Sequence, residues 1–210
     1  MDHIQSQIAT NANLDLAIEQ LNQGEILIYP TETLYGMGVD AQNEKAVQHL
    51  FQIKKRDISK PVPVLLPNKR LLASYCKDIP EQARILIDEF WPGALTIILY
   101  SDAFPKGVAS QGKVGFRVSS HPLAQALVAR FGRCITATSA NLSDKETPDE
   151  PSDFFKIFPK DSFMLIQNMA TSKSARPSTV IDCTSQEYKI IREGGISKKK
   201  IDETLERKKS

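Results

Sequence analysis

The chain has 210 residues, 41% of them hydrophobic and 25% charged, with a formal net charge of +2. That length suits one large domain, and the balance is ordinary for a soluble globular protein. The small net charge gives no argument of its own for a nucleic-acid partner. No apolar run is long enough to span a bilayer, and Met1-Asp2-His3-Ile4-Gln5 lacks a secretory pattern, so a cytoplasmic setting without a membrane partner is expected.

In chain order, Asn13 is placed to cap a helix running to about Gln23, with Leu14, Ala17, Ile18 and Leu21 on one face and Gly24 as the stop. A buried strand over 25–30 follows. Asn43 opens a second helix carrying an Ala46, Val47, Leu50, Phe51 stripe and ending near Lys54. A short strand is read at 62–66, where Pro63 argues for an edge or irregular position. Helices at about 68–75 and 80–90 precede Trp91-Pro92-Gly93, which breaks the second of them. Strands are read at 95–100 and 114–118. Ser120 and Pro122 then open a helix with Leu123, Ala126, Leu127 and Phe131, and a strand at 135–138 follows. Residues 143–153 are polar, with Pro148 and Pro151, and read as an exposed loop. Strands near 163–167, 178–182 and 187–192 precede a charged helix from about Ser197. The alternation predicts a single α/β domain, 1–210, with a core over about 14–196 and a twisted, partly parallel sheet flanked by helices.

Cys76, Cys134 and Cys183 are widely spaced and unpaired by motif, so they read as free thiols, with Cys134 buried. His3, His49 and His121 have no metal-ligand spacing, and no bound metal is expected.

Polar residues gather where strands end, which is where open α/β sheets bind ligands. Tyr29-Pro30-Thr31-Glu32-Thr33-Leu34-Tyr35-Gly36 follows the apolar run Ile26-Leu27-Ile28. Lys54-Lys55-Arg56-Asp57-Ile58-Ser59-Lys60 packs four cations into seven residues, either as a solvated helix terminus or as an anion clamp. Thr138-Ser139-Ala140-Asn141-Leu142-Ser143 and Pro177-Ser178-Thr179-Val180-Ile181-Asp182 carry hydroxyls and an amide, and Arg117 and Arg192 close two further strands. Taken singly, each segment reads more simply as a turn satisfying its own backbone, a solvated helix terminus or a surface ion pair. Together they supply groups that would converge on one crevice if those strands share a sheet.

The ordered set Pro30-Thr31-Glu32-Thr33-Leu34-Tyr35-Gly36, Lys54-x-Arg56, Trp91-Pro92-Gly93, Gly115-Phe116-Arg117-Val118, Ser139-Ala140-Asn141-x-Ser143, Pro177-Ser178-Thr179-Val180-Ile181-Asp182 and Arg192-Glu193-Gly194 resembles the YrdC/TsaC family of threonylcarbamoyl-adenylate synthases. The resemblance runs from about residue 14 to 196 and suggests the short, single-domain form. It implies a nucleotidyltransferase that makes L-threonylcarbamoyl-AMP and pyrophosphate from L-threonine, bicarbonate or CO2, and ATP. A separate transferase complex would then receive the intermediate for tRNA modification. By the same resemblance, Thr33, Arg117, Ser139 and Ser178 would hold threonine, with Tyr35 closing the pocket wall. Lys54, Arg56, Lys60, Asn141 and Arg192 would hold ATP, with Mg2+ carried on its phosphates, and Lys54, Arg56, Ser139 and Asn141 would form the catalytic set.

Three positions depart from the family pattern: Asp144 where glycine is usual, Lys60 where many members have asparagine, and Leu65 where some longer relatives have histidine. The competing readings are an RNA-binding or ribosome-assembly protein in contact with tRNA or other RNA, a divergent paralogue on the same fold, and a purely structural module.

Overall fold

Amphipathic periodicity and capping residues build most of the helices locally, and the sheets then gather them into layers. The computed structural model describes residues 7–8, 11–159, 161–167 and 176–208, with side chains described from Leu14 onward apart from Gln167. The elements are β1 (Gln7–Ile8), α1 (Asn11–Gln23), β2 (Leu27–Tyr29), β3 (Gly36–Gly38), α2 (Glu44–Ile53), β4 (Val64–Leu65), a 3-10 helix (Lys69–Ser74), α3 (Glu81–Phe90), β5 (Leu95–Tyr100) and β6 (Lys113–Arg117). There follow α4 (Pro122–Phe131), β7 (Ile135–Thr136), β8 (Thr138–Ser139), a 3-10 turn (Pro151–Asp153), α5 (Phe154–Ile157), β9 (Met164–Gln167), β10 (Thr179–Asp182), β11 (Lys189–Arg192) and α6 (Lys198–Arg207).

The strands divide into two mixed sheets, of order β1-β9-β2-β3-β8 and β11-β10-β5-β6-β4-β7. The α/β architecture expected from the sequence is present, but its strands are shared between these two layers. Parallel pairs (β1/β9, β2/β9, β5/β10, β4/β6) alternate with antiparallel ones (β2/β3, β3/β8, β5/β6, β4/β7, β10/β11). The strand expected over 135–138 is divided: Thr136 ends β7 in one sheet and Thr138 opens β8 in the other. The chain therefore changes layers at Ala137, where the two sheets meet.

Local rules hold closely in α2, where the Asn43 side chain accepts from the Ala46 amide and Ala46, Val47, Leu50 and Phe51 are buried. Ser197 caps α6 in the same way, through the Lys200 amide. Other details shift. The first helix begins at Asn11, two residues before the expected Asn13 cap. In α4 the buried face is Leu123, Ala124, Leu127, Val128 and Phe131, leaving Ala126 exposed, and His121 supplies the N-cap. Pro63 does not put its strand at an edge: β4 starts just after it and lies between β6 and β7. The proline lacks only a donor, and its carbonyl accepts from the Ala137 amide at 2.7 Å. Within the expected loop, Pro151–Asp153 turns into α5, whose Phe154 is fully buried.

β3 has no β-branched or alternating pattern, and its reason is long-range. The Tyr29 ring lies across this strand, so a Cβ at Gly36 would come within 2.9 Å of it and one at Gly38 would meet the Thr136 carbonyl at 2.4 Å. Tyr29 is fully buried and donates its hydroxyl to that same carbonyl, 3.0 Å away. Burial accordingly raises its pKa. One apolar cluster joins α1 and α4 to β2 and β9 through Leu21, Leu127, Leu27 and Met164, and a larger one fills the space around β5, β6, α2 and α3. All three cysteines are free and buried, and burial pushes each thiol up to about 12. Among the described residues no helix is long and apolar enough to cross a membrane.

Candidate functional site

A cavity of about 330 Å³ opens where the two sheets meet, within the size range of small-molecule sites. Of the residues expected from the sequence, Thr33, Tyr35, Arg56, Arg117, Ser139, Ser178 and Arg192 lie in its wall. Apolar lining comes from Pro61, Val62, Pro63, Leu65, Ile98, Val180 and Ile191, and the backbone of Gly115 shares the floor with Thr96.

The segment after β2 is a turn organised by its own hydroxyls. The Thr31 hydroxyl accepts from the amides of Thr33 and Leu34 and donates to the Leu34 carbonyl at 2.6 Å, which turns Thr33 and Tyr35 into the cavity wall. The Tyr35 ring meets Phe154 edge-on at 5.2 Å, so α5 backs this wall.

Three guanidiniums reach the cavity, and each is held by the protein along its Nε–Nη2 edge. Arg56 donates from Nε to the Lys60 carbonyl (2.8 Å) and from Nη2 to that of Pro61 (3.2 Å). Arg192 donates from Nε and Nη2 to the Ser178 carbonyl, at 3.2 and 2.9 Å. Arg117 donates from Nε to the Gly93 carbonyl (3.2 Å), and from Nη2 to Glu32 Oε1 (2.6 Å) and Thr33 Oγ1 (3.0 Å). Among the described residues, Nη1 of each has no protein acceptor. The result is a set of preorganised donors in a partly enclosed cavity. Burial, and then the nearby Arg117, lowers the pKa of Arg192, the mark of two like charges close together.

Close packing holds this arrangement. A Cβ at Gly194 would sit 2.1 Å from the Pro177 carbonyl oxygen and 2.6 Å from the Ser178 carbonyl carbon. The Thr179 hydroxyl binds the same turn, accepting from the Gly194 and Ile196 amides and donating to the Ile196 carbonyl. The Ser178 hydroxyl meets that of Thr96 at 3.0 Å. Trp91-Pro92-Gly93 serves Arg117, since the Gly93 carbonyl receives its Nε while the Gly93 amide donates to Val118 at 2.8 Å.

Lys54, Lys60 and Asn141, expected to grip ATP, are not in the cavity wall. Lys54 is 1% exposed and turns inward, donating Nζ to the carbonyls of Ser139 (2.6 Å) and Asn141 (2.5 Å). Burial, reinforced by the neighbouring Arg56, pulls its pKa from 10.5 down to about 7. Its own carbonyl accepts from the Ser143 amide, so it stitches the cation loop to the Ser139–Ser143 segment. The Asn141 side chain accepts from the Ser139 hydroxyl at 2.5 Å and donates to the Lys145 carbonyl. Lys60 is exposed and lies 3.8 Å from Asp144, so two of the departures from the family pattern face one another. Asp144 has φ of +62°, the left-handed region that favours glycine.

Sequence reasoning assigned no role to Glu32, whose carboxylate takes the Arg117 guanidinium on one oxygen and the Ser119 hydroxyl on the other. Burial raises its pKa, but Arg117 and the hydrogen bonds from Ser119 and Arg117 outweigh that and the net shift is downward. The available signal was a lone carboxylate among hydroxyls in a segment otherwise rich in neutral donors. Among the described residues no group of three or more His, Cys, Asp or Glu is placed to hold a metal ion.

The chain is 32% identical over 206 residues to the threonylcarbamoyl-AMP synthase of Bacillus subtilis (strain 168), covering 96% of this chain and 59% of that protein. It is 32% identical over 187 residues to the threonylcarbamoyl-AMP synthase of Vibrio parahaemolyticus, covering 87% and 99% respectively. The crystal structure of Pyrococcus abyssi Sua5 complexed with L-threonine superposes with a TM-score of 0.88 at 29% identity, covering 95% of this chain and 61% of that one. The chain thus spans less than two thirds of the Bacillus and Pyrococcus proteins. The Sua5/YciO/YrdC family model, described as "Telomere recombination", matches residues 19–194. The chain belongs to the Sua5/YciO/YrdC family.

Proposed function

We propose that this chain is an L-threonylcarbamoyladenylate synthase, joining L-threonine, bicarbonate or CO2, and ATP with release of pyrophosphate. The observation that carries this reading is the trio Arg56, Arg117 and Arg192, each locked on one edge and facing a single cavity lined with hydroxyls. The named relatives and the threonine complex of Pyrococcus Sua5 support it.

In this reading the threonine amine captures CO2 as a carbamate, whose oxygen attacks the α-phosphorus of ATP as pyrophosphate leaves. The step needs alignment and charge neutralisation more than a covalent nucleophile. Arg117 takes the threonine carboxylate, with Thr33, Ser139 and Ser178 as hydroxyl partners and Tyr35 as a wall. Arg56 and Arg192 take phosphate oxygens. Lys54 and Asn141 act indirectly, by fixing the backbone of the Ser139 segment. Mg2+ enters on the ATP phosphates as part of the substrate, and no protein cage is assigned to it. Residues of about 14–196 form the catalytic unit, and the helix from 197 braces α3 through Arg207 and Glu89. The product would pass to a threonylcarbamoyl transferase complex acting on tRNA.

The test is mass spectrometry of the protein with ATP, Mg2+, L-threonine and bicarbonate, alongside pyrophosphate release. Threonylcarbamoyl-AMP that requires all components is the expected result, and Arg56→Ala should weaken ATP use far more than folding. Nucleotide binding without product would assign a divergent paralogue, and salt-dependent RNA binding with neither would assign an RNA-binding role.

A further inference from the structure

Both ligands of the proposed reaction present anions to arginines in one cavity: a singly charged carboxylate and a polyphosphate. The three guanidiniums differ in what holds them. Arg56 and Arg192 are fixed by the main-chain carbonyls of Lys60, Pro61 and Ser178, which carry no charge. Among the described residues neither is bonded to a carboxylate, and the one that acts on Arg56 from a distance, Asp144, is solvent-exposed and screened. Arg117 is fixed by a carboxylate, Glu32, 2.6 Å from Nη2. The two side chains are 8% and 18% exposed, so solvent screens them little. Glu32 is held in turn, since its second oxygen accepts from Ser119, whose hydroxyl also accepts from the His121 amide at the head of α4. The carboxylate has little freedom to swing away from Arg117.

We infer that Glu32 is the specificity-determining residue of the cavity: it reserves Arg117 for a zwitterionic amino acid and denies it to phosphate. The inference rests on the synthase reading in assigning the two ends, but its charge logic is independent of turnover. The Arg117–Glu32 pair has no formal net charge, so an incoming carboxylate gains a hydrogen bond from Nη1 in a field weaker than that of a bare guanidinium. The amine of the same ligand gains attraction from Glu32. A phosphate group carries up to about two negative charges and no ammonium, so the formally neutral pair offers it little net attraction, whereas Arg56 and Arg192 each offer a cation with no bonded carboxylate. Around Arg56 and Arg192 no such carboxylate is bonded to the guanidinium. The polyphosphate is therefore directed to Arg56 and Arg192 in preference to Arg117. Glu32 is absent from the cavity wall and acts through Arg117, so it is a positioning residue.

The probe is inorganic pyrophosphate, titrated calorimetrically into the wild type, Glu32→Gln, Glu32→Asp and Glu32→Gln combined with Arg117→Gln. Wild type should bind one equivalent, and pyrophosphate should leave L-threonine affinity unchanged. Glu32→Gln should open a second pyrophosphate site at least about tenfold tighter than any second site of the wild type. There pyrophosphate should compete with threonine. The Arg117→Gln addition should abolish the second site, and Glu32→Asp, which keeps the charge, should behave as wild type. A folded Glu32→Gln protein with unchanged pyrophosphate stoichiometry overturns the inference. So does competition between pyrophosphate and threonine in the wild type, which needs no variant to fold. Failure of the wild type to bind threonine at all would instead sink the synthase reading, leaving the pyrophosphate stoichiometry to decide on Glu32.

Discussion

Replacing Lys54 by methionine probes the contact that joins the cation loop to the Ser139 segment. The lysine is 1% exposed, and its pKa is pulled from 10.5 to about 7 by burial and then by Arg56. Below about pH 7 the amine is protonated in both folded and unfolded chains, so it adds almost no pH dependence. Between about 7 and 10.5 the unfolded chain holds the proton and the folded one does not, so stability rises with pH. The full slope is about 1.4 kcal/mol per pH unit, and the rounded onset from about pH 7 to 8.5 integrates to about 1.5 kcal/mol. The buried thiols, raised from 9.0 to about 12, pull the other way at higher pH, because the unfolded chain then loses protons that the folded one keeps. Comparing wild type with Lys54→Met cancels that contribution. Urea unfolding of both proteins at about pH 6, 7 and 8.5 should show the wild type gaining about 1.5 kcal/mol on the variant over the upper interval and about 0.3 over the lower. A difference flat across all three values would refute the reasoning. It would mean that the Ser139 and Asn141 carbonyls keep the ammonium charged despite its burial.

Gly194→Ala forces a methyl against the main chain of Pro177 and Ser178, at 2.1 and 2.6 Å, where no side chain can move aside. A cost of about 2 kcal/mol or more is expected, lowering Tm by about 4–8 °C in a thermal melt, with loss of the proposed threonine-dependent activity as Ser178 shifts. The three buried thiols should resist a soluble thiol reagent in the folded protein and react together on unfolding. Rapid labelling of one of them in the native state would contradict the packing described for it.

The helices and the strand-end chemistry were legible in the chain itself, because they depend on neighbours a few residues apart. The Ala46, Val47, Leu50, Phe51 stripe and the helix starts at Asn43 and about Ser197 are local, and each forms as read. Thr33, Arg56, Arg117, Ser139, Ser178 and Arg192 were likewise visible as polar groups where strands or helices end, and the cavity gathers them. The partition into two sheets was not legible, since a single residue, Ala137, separates β7 from β8 and nothing local marks the change of layer. β3 escaped because its glycines answer to the Tyr29 ring and the Thr136 carbonyl, not to strand propensity. The inward turn of Lys54 depends on carbonyls 85 and 87 residues further along, and the Arg117 that Glu32 holds lies 85 residues away. A short-range pattern records what a segment can form alone. Which cation faces the ligand, and which is consumed in holding the backbone, depends on charges and carbonyls that only the folded chain brings within 3 Å.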